Sequence, residues 1–190
     1  MKLPYSLIML LSSCLGYNVK KEMPAKINLP EKSIYELTVK SLDGELVSLA
    51  DFKGKKVVFV NTASKCGFTP QYKRLQEFHE QFKEKVVVIG IPSNDFGEQE
   101  PGANEDIKEF CRLNYGVSFL MLEKAVVKGS DKSPLYHWLT DSSLNGWNDQ
   151  EPKWNFCKYI INEEGVLTHF FGSAIDPFSK EFREALELKH

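Results

Sequence analysis

The stretch that decides the fold is residues 56–91, KVVFVNTASKCGFTPQYKRLQEFHEQFKEKVVVIGI. It contains a short apolar run at each end, residues 56–60 and residues 86–91. Such runs are typical of strands that are covered on both faces. Between them, apolar side chains recur at helical spacing after Thr69-Pro70, where Thr69 is suited to cap a helix and Pro70 to begin one. The pattern predicts two parallel strands joined by a right-handed helical crossover.

Elements on either side of this unit complete an α/β domain. Residues 34–39 and 46–49 alternate around a turn at Asp43-Gly44, which predicts an amino-terminal hairpin. On the other side, three helices and a second hairpin are expected. They are a helix from Asn104, a short helix from Ser133-Pro134, a hairpin over residues 156–171 and a last helix from Asp176-Pro177. The order resembles a thioredoxin-like fold, with a central mixed β-sheet flanked by helices.

Composition excludes several functional classes. The 190 residues are 42% hydrophobic and 26% charged with a net charge of −2, so no basic surface for a nucleic acid is expected. No apolar run reaches the length of a spanning helix. The four cysteines, at positions 14, 66, 111 and 157, form no CxxC pair, which disfavours a zinc site and a two-cysteine thioredoxin centre.

The first residues have the pattern of an export signal. Lys2 precedes the apolar residues 7–11, and small residues lead to Cys14. Residues 11–14, LSSC, also resemble a bacterial lipoprotein signal in which Cys14 would be lipidated and hold the protein to a membrane surface. An ordinary cleaved signal with an uninvolved cysteine is the alternative.

The domain prediction follows from this pattern. Residues 1–25 are expected to be a signal and tether, and residues 26–190 a single domain; the tether extends over residues 18–30. We therefore expect an exported protein, periplasmic or anchored to a membrane, or a cytoplasmic one if the segment is not a signal.

Cys66 is the candidate nucleophile. It lies between the first predicted strand and the helix, at the edge where open α/β sheets bind ligands. A helix N-terminus and the adjacent Lys65 both favour the thiolate, which is the nucleophilic form of cysteine. A packed core cysteine is the alternative.

Two other loops carry nitrogen donors that are expected at the same edge. Gln99 follows the second buried strand, while Trp154 and Asn155 precede the strand at residues 156–161. These last two reach Cys66 only if that strand runs antiparallel to the first two. Taken singly, each has an ordinary explanation as a loop amide, a core indole or a turn residue.

Together the three loops are similar to three signatures of the glutathione peroxidase family. The matching stretches are NTASKCGFT at 61–69, NDFGEQEPG at 94–102 and WNF at 154–156, and the resemblance covers roughly residues 33–188. It implies a peroxidase whose catalytic tetrad is Cys66, Gln99, Trp154 and Asn155. It also implies no metal and no organic cofactor.

The residue types suit that chemistry. A thiolate attacks one peroxide oxygen, and the other oxygen leaves as hydroxide or alkoxide, whose charge the nitrogen donors can stabilise. Cys66 becomes a sulfenic acid, which needs a second thiol.

The resemblance implies that Cys111 is the resolving thiol, as in cysteine-type members that thioredoxin-like proteins reduce. Cys111 also falls on the apolar stripe of its predicted helix with Ile107 and Phe110, so a core role is the alternative. If it packs inward, its helix must open to form a disulfide, because the two Cα atoms must come within about 7 Å. Cys157 is the competing resolver.

The expected partners are a hydroperoxide and, as reductant, a thioredoxin-like protein or glutathione. The short segment between Val127 and Trp154 implies a monomer, because it lacks the loop that builds tetramers in some relatives. A peroxiredoxin is disfavoured, since Phe59 and Ala63 stand where its motif has proline and threonine. Two alternatives stay open, a peroxide sensor or relay that uses the same cysteine and a lipid-anchored binding domain with an inactive site.

Overall fold

The computed structural model describes residues 17–27 and 32–188 of the chain. Its strands are β1 (Lys20–Glu22), β2 (Thr38–Lys40), β3 (Leu46–Ser48), β4 (Lys56–Thr62), β5 (Val86–Pro92), β6 (Leu120–Met121), β7 (Lys158–Ile161) and β8 (Leu167–Phe171). A mixed sheet has the strand order β1-β8-β7-β4-β5-β6, and β2 and β3 form a separate hairpin.

Five α-helices and two short 3₁₀ helices accompany the strands in the described ranges. The α-helices are α1 (Gln71–Phe82), α2 (Asn104–Tyr115), α3 (Pro134–Leu139), α4 (Ser142–Asn145) and α5 (Lys180–Ala185). The 3₁₀ helices are Ile34–Glu36 and Leu49–Phe52. Within residues 17–27 and 32–188, no helix is both long and apolar enough to cross a bilayer.

Strand β4 is buried along its whole length because helices cover both faces of the sheet. Its side chains alternate: Val58 and Val60 pack with α1, α2 and α5, whereas Val57 and Phe59 pack with α3. This two-sided burial explains why β4 and β5 are apolar runs rather than alternating sequences.

The pairing directions bring three loops to one edge of the sheet. Strands β4 and β5 are parallel, and Thr62 at the end of β4 pairs with Pro92 at the end of β5. Strand β7 is antiparallel to β4 and begins at Lys158, opposite Val60. The loops after β4 and β5 and the loop before β7 therefore meet at the carboxyl edge of β4.

The predicted α/β class and mixed central sheet are confirmed, as are the parallel crossover and the antiparallel β7. Three local predictions were wrong. Ile34–Glu36 forms a 3₁₀ helix, begun by a capping box at Ser33, so the hairpin strand starts only at Thr38. The last helix begins at Lys180, because the Ser179 hydroxyl caps it. Thr69 does not cap α1; its hydroxyl bonds within the preceding loop.

The tether predicted over residues 18–30 is also corrected. Lys20–Glu22 form β1, which pairs antiparallel with β8. The physical reason is that an open strand edge offers unpaired backbone groups, and even a polar, exposed segment can satisfy them. Part of the amino-terminal segment thus belongs to the sheet. The predicted signal and Cys14 lie outside the described residues.

Candidate active site

The Cys66 loop is held by hydrogen bonds among its own residues. The backbone N–H of Cys66 donates to the Thr69 hydroxyl at 2.9 Å, and that hydroxyl donates to the Ala63 carbonyl at 2.8 Å. The Cys66 sulfur accepts a hydrogen bond from the Phe68 backbone N–H, with the two atoms 3.4 Å apart. The Phe68 backbone N–H, in the turn that leads into α1, therefore already donates to the sulfur.

Cys66 lies just beneath the surface. Only 8% of the residue is exposed, but Lys65 and Gly67 on either side of it are exposed. A sulfur in this position is shielded from bulk water yet stays close to a surface that a small peroxide can reach.

Gln99 and Asn155 are in direct contact beside this loop. The Asn155 amide Nδ2 donates to Gln99 Oε1 at 3.0 Å, and the Lys65 backbone N–H donates to the Gln99 carbonyl at 3.0 Å. Since its oxygen accepts from Asn155, the Gln99 amide keeps its own N–H groups for another acceptor. Asn155 itself is fully buried. The structure thus brings together the loops that carry Cys66, Gln99 and Asn155.

Asn61 fixes the loop that carries Trp154 and Asn155. Its Nδ2 donates to the Trp154 carbonyl at 2.9 Å, and its Oδ1 accepts from the Cys157 backbone N–H at 2.9 Å. Between these contacts, Phe156 adopts a left-handed φ of +66°, a strained conformation for a residue with a large side chain. The Asn61 bonds on both sides hold this turn in place.

The Trp154 ring lies in an aromatic cluster. Its centroid is 5.9 Å from that of Phe96 and 6.3 Å from that of Tyr17, and the Tyr17 and Phe68 rings are 5.5 Å apart. Trp154, Phe68 and Tyr17 are all half-buried. They form an apolar surface beside Cys66.

The contacts stop short of the sulfur itself. Within the described ranges, no hydrogen bond joins the Cys66 sulfur to the side chains of Gln99, Trp154 or Asn155. The three residues surround the Cys66 loop rather than bonding to its thiol. The N–H groups of these side chains can instead stabilise the negative charge that develops on the leaving oxygen, because catalytic donors are placed for the transition state rather than for the resting thiol.

Cys111 lies on α2 and is buried, with 2% of the residue exposed. The pKa of its thiol is raised to about 11, chiefly by burial, and the nearby charge of Glu100 acts in the same direction. Burial also raises the pKa of the Glu100 carboxyl. The thiol of Cys111 therefore stays protonated at neutral pH while α2 is intact.

Cys157 is buried too, and its sulfur lies 3.6 Å from the Ser173 hydroxyl. Cys66, Cys111 and Cys157 are all unpaired thiols. Of the predicted site residues, the structure therefore groups Cys66, Gln99, Trp154 and Asn155 at one edge, and it places Cys111 on a separate helix.

Three residues near the site were missed from the sequence. Asn61 had a usable signal, because it is a polar residue at the end of a buried apolar strand and must find partners there. Lys158 is fully buried and donates to Gln71 Oε1 at 2.6 Å and to the Ile175 carbonyl at 2.7 Å. The burial of Lys158 has no local sequence signal, and neither does the contact of Tyr17 with Trp154. Both depend on residues that are distant in the sequence.

Comparison with known proteins gives consistent matches. The family model described as glutathione peroxidase matches residues 34–140. The chain is 43% identical over 148 residues to the glutathione peroxidase-like peroxiredoxin 2 of Saccharomyces cerevisiae, covering 77% of this chain and 91% of the yeast protein. It is 42% identical over 153 residues to the hydroperoxy fatty acid reductase gpx1 of Synechocystis, covering 76% and 89%.

A solved structure agrees with these matches. The crystal structure of Trgpx in its apo form superimposes with a TM-score of 0.62 and 33% identity, covering 83% of this chain and 97% of that one. The predicted thioredoxin-like fold is confirmed by this likeness together with the mixed sheet described above.

Proposed function

The chain belongs to the glutathione peroxidase family, and from this premise we propose that it is a thiol peroxidase that reduces hydroperoxides through Cys66. The observation that carries the proposal is the junction beside Cys66. There the Asn155 amide bonds to Gln99 and the Gln99 carbonyl bonds to the residue before Cys66. Three sequence-distant loops meet at one near-surface thiol.

The reaction begins with attack by the Cys66 thiolate on one oxygen of the hydroperoxide. The O–O bond breaks, the sulfur becomes a sulfenic acid and the other oxygen leaves as hydroxide or alkoxide, which takes up a proton to give water or alcohol. Negative charge builds on the leaving oxygen. The Gln99 amide, the Asn155 amide and the Trp154 indole N–H are the proposed donors to that charge.

Recycling requires a second thiol. We assign this role to Cys111, whose thiol would displace the sulfenic hydroxyl as water and form a disulfide with Cys66. Because Cys111 is buried on α2, this step needs local opening of the helix. Cys157 is the weaker candidate, since it is buried beneath the start of β7, where Asn61 holds its backbone.

The reductant is proposed to be a thioredoxin-like protein, with glutathione as the alternative. The support is the peroxiredoxin name of the yeast relative. The name of the Synechocystis relative supports organic hydroperoxides as substrates. A monomeric state is also part of the proposal.

The test is a coupled assay that follows hydroperoxide consumption with thioredoxin, thioredoxin reductase and NADPH, and in parallel with glutathione, glutathione reductase and NADPH. We expect repeated turnover in the first system. The Cys66→Ser variant should lose at least about 10³-fold in rate while keeping its fold, because the nucleophile is gone. Retained turnover in that variant would refute the nucleophile.

The assay also separates an enzyme from a peroxide sensor. An enzyme consumes many peroxide molecules per protein when thioredoxin is present. A sensor or relay would be oxidised once and then pass its oxidation to a partner protein. Fewer than a few turnovers with every reductant would favour the sensor.

Export and lipidation at Cys14 are proposed on the sequence pattern alone. The residues between Cys14 and Tyr17 span at most about 11 Å when extended, so a lipid on Cys14 would keep the active-site side near the membrane surface. Fractionation of cells that express the wild type and Cys14→Ala tests this. We expect the wild type in the membrane fraction and the variant released from it; equal fractionation would argue against lipidation.

A further inference from the structure

Residues 17–22 are docked against the sheet next to the active site. The Ala174 backbone N–H donates to the Tyr17 carbonyl at 2.9 Å, and the Gly172 backbone N–H donates to the Val19 carbonyl at 2.7 Å. Strand β1 continues this pairing along β8. Tyr17 is therefore held by backbone bonds and by the sheet, not only by its side chain.

Gly172 is required for this docking. A Cβ atom added at Gly172 would lie closer to the Tyr17 carbonyl oxygen than real contacts allow, and this oxygen belongs to the backbone, so it cannot rotate away. Any larger residue at this position would displace the segment that carries Tyr17. The position thus provides an independent way to move Tyr17 without changing it.

The Tyr17 ring bridges two aromatic residues of the active-site loops, Phe68 and Trp154. It meets Phe68 edge-on at a centroid distance of 5.5 Å and Trp154 at 6.3 Å. Phe68 lies two residues after Cys66 and bonds to its sulfur through the backbone. The three half-buried rings form one apolar wall beside the thiol.

We propose that Tyr17 is a specificity-determining residue of the peroxidase, and that its ring, with those of Phe68 and Trp154, contacts the organic group of a bulky hydroperoxide. This assignment rests on the proposed function. Hydrogen peroxide has no organic group, so it reaches Cys66 without using this wall. An aryl or branched alkyl hydroperoxide buries its apolar part there.

The test compares cumene hydroperoxide with hydrogen peroxide in the full chain and in three variants. Second-order rate constants are measured with the thioredoxin system. Tyr17→Ala should lower the rate constant for cumene hydroperoxide about tenfold and leave that for hydrogen peroxide within about twofold. Tyr17→Phe should behave like the wild type because the ring supplies the contact. Lys21→Ala, an exposed change in β1, is the control and should alter neither rate constant.

Gly172→Ala tests the same idea through the backbone. It should lower the cumene hydroperoxide rate constant selectively, as Tyr17→Ala does, because it displaces Tyr17 from its docked position. Selective loss in both variants supports the assignment.

Two results would overturn it. Equal loss for both substrates in Tyr17→Ala would mean that Tyr17 acts through Trp154 or Phe68 rather than on the substrate, and no change would mean that the ring does not touch it. Absence of turnover with either hydroperoxide in the wild type would instead overturn the proposed function and this assignment with it.

Discussion

The loop around Cys66 and the helix around Cys111 are fixed by different kinds of contact. The Cys66 loop is tied by hydrogen bonds to residues far along the chain, through Lys65 to Gln99 and from there to Asn155. Asn61 ties the neighbouring Trp154 loop in the same way. Directional bonds between three loops leave this region little freedom to move.

Helix α2, by contrast, is held mainly by apolar packing. Cys111 lies near an aromatic group in which the Tyr72 ring is 6.5 Å from Phe110 and 5.5 Å from Tyr115. On its outer side, Leu113 is 62% exposed. Its polar side-chain contacts to other segments, from Asn104 to Lys124 and from Lys108 to Asp43, lie before Cys111, so the last turns can open locally without breaking them. The difference fits the proposed roles, in which Cys66 is a nucleophile with a fixed position and Cys111 is a resolving thiol on a segment that can open.

The largest expected effect is the pH dependence of thiol alkylation. Because the pKa of Cys111 is raised to about 11 in the folded protein, its thiolate fraction and its alkylation rate should rise about tenfold per pH unit from pH 7 to 10. Cys66 should be labelled first throughout. The measurement is mass spectrometry of peptides after timed iodoacetamide treatment.

The urea-unfolded chain is the control for this experiment. There the thiol of Cys111 should titrate near its ordinary pKa of about 8.5, and its labelling rate should level off above that pH. A similar plateau in the folded protein would show that Cys111 is not held in a buried, protonated form.

The next effect is on recycling. Cys111→Ser should lower steady-state turnover with thioredoxin at least about 100-fold and leave the first round of Cys66 sulfenic acid formation at the wild-type rate. Stopped-flow kinetics and dimedone labelling measure the two steps separately. Cys157→Ser is the matched control and should recycle normally. Should Cys111→Ser still turn over, Cys157 or direct attack by glutathione must serve instead.

A smaller effect on the rate of peroxide attack is expected when the loop before β7 loses the Asn155 amide. Asn155→Ala removes both the contact to Gln99 and a proposed donor, so the rate of peroxide attack should fall about 30-fold with the resolving step unchanged. Asn114→Ala removes a comparable amide on α2, where Asn114 bonds to the Phe110 carbonyl, and should leave peroxide attack unchanged. Similar losses in the rate of peroxide attack in the two variants would contradict the proposed difference between the Cys66 loop and α2.

The smallest effect is a pH dependence of the free energy of unfolding that arises from the buried Lys158. Burial lowers the pKa of Lys158 from 10.5 to about 7. Between these two values the unfolded chain binds a proton that the folded chain does not, so the free energy of unfolding should rise with pH above about 7 and be insensitive to this group below it.

Lys158→Met removes this dependence. From pH 7 to 9, the free energy of unfolding of the wild type should gain about 1 kcal/mol per pH unit relative to the variant, as measured by urea denaturation. Parallel pH profiles for the two proteins would mean that the acceptor oxygens around Lys158 keep it charged in the fold.

Much of the fold could be predicted from the sequence because its signals are local. The apolar runs of β4 and β5 and the helical spacing of α1 each lie within a short window and reflect burial directly. The capping box at Ser33 shows where local reasoning failed, since a hydrogen-bonded turn overrode an alternating pattern. The edge strand β1 was missed because its polar sequence pairs only when β8 is present.

The residues of the candidate site could be named from the sequence, but the contacts between them could not. Cys66, Gln99, Trp154 and Asn155 were named from the sequence because their residue types suit the chemistry and their loops precede or follow recognisable strands. Their resemblance to a known family then joined three separate motifs. The bond between Asn155 and Gln99 could not be predicted, because it depends on how three loops are placed relative to one another.

The sequence by itself determined the central strands β4 and β5, the crossover helix and the residue types at the carboxyl edge, since hydrophobic periodicity and turn chemistry act over a few neighbouring residues. Only the tertiary structure decided that Tyr17 packs against Trp154, that Asn61 holds a strained turn at Phe156, and that Cys111 is buried on α2. These contacts join residues far apart in the chain, and their free energy arises only when the whole sheet has assembled and excluded water from between them.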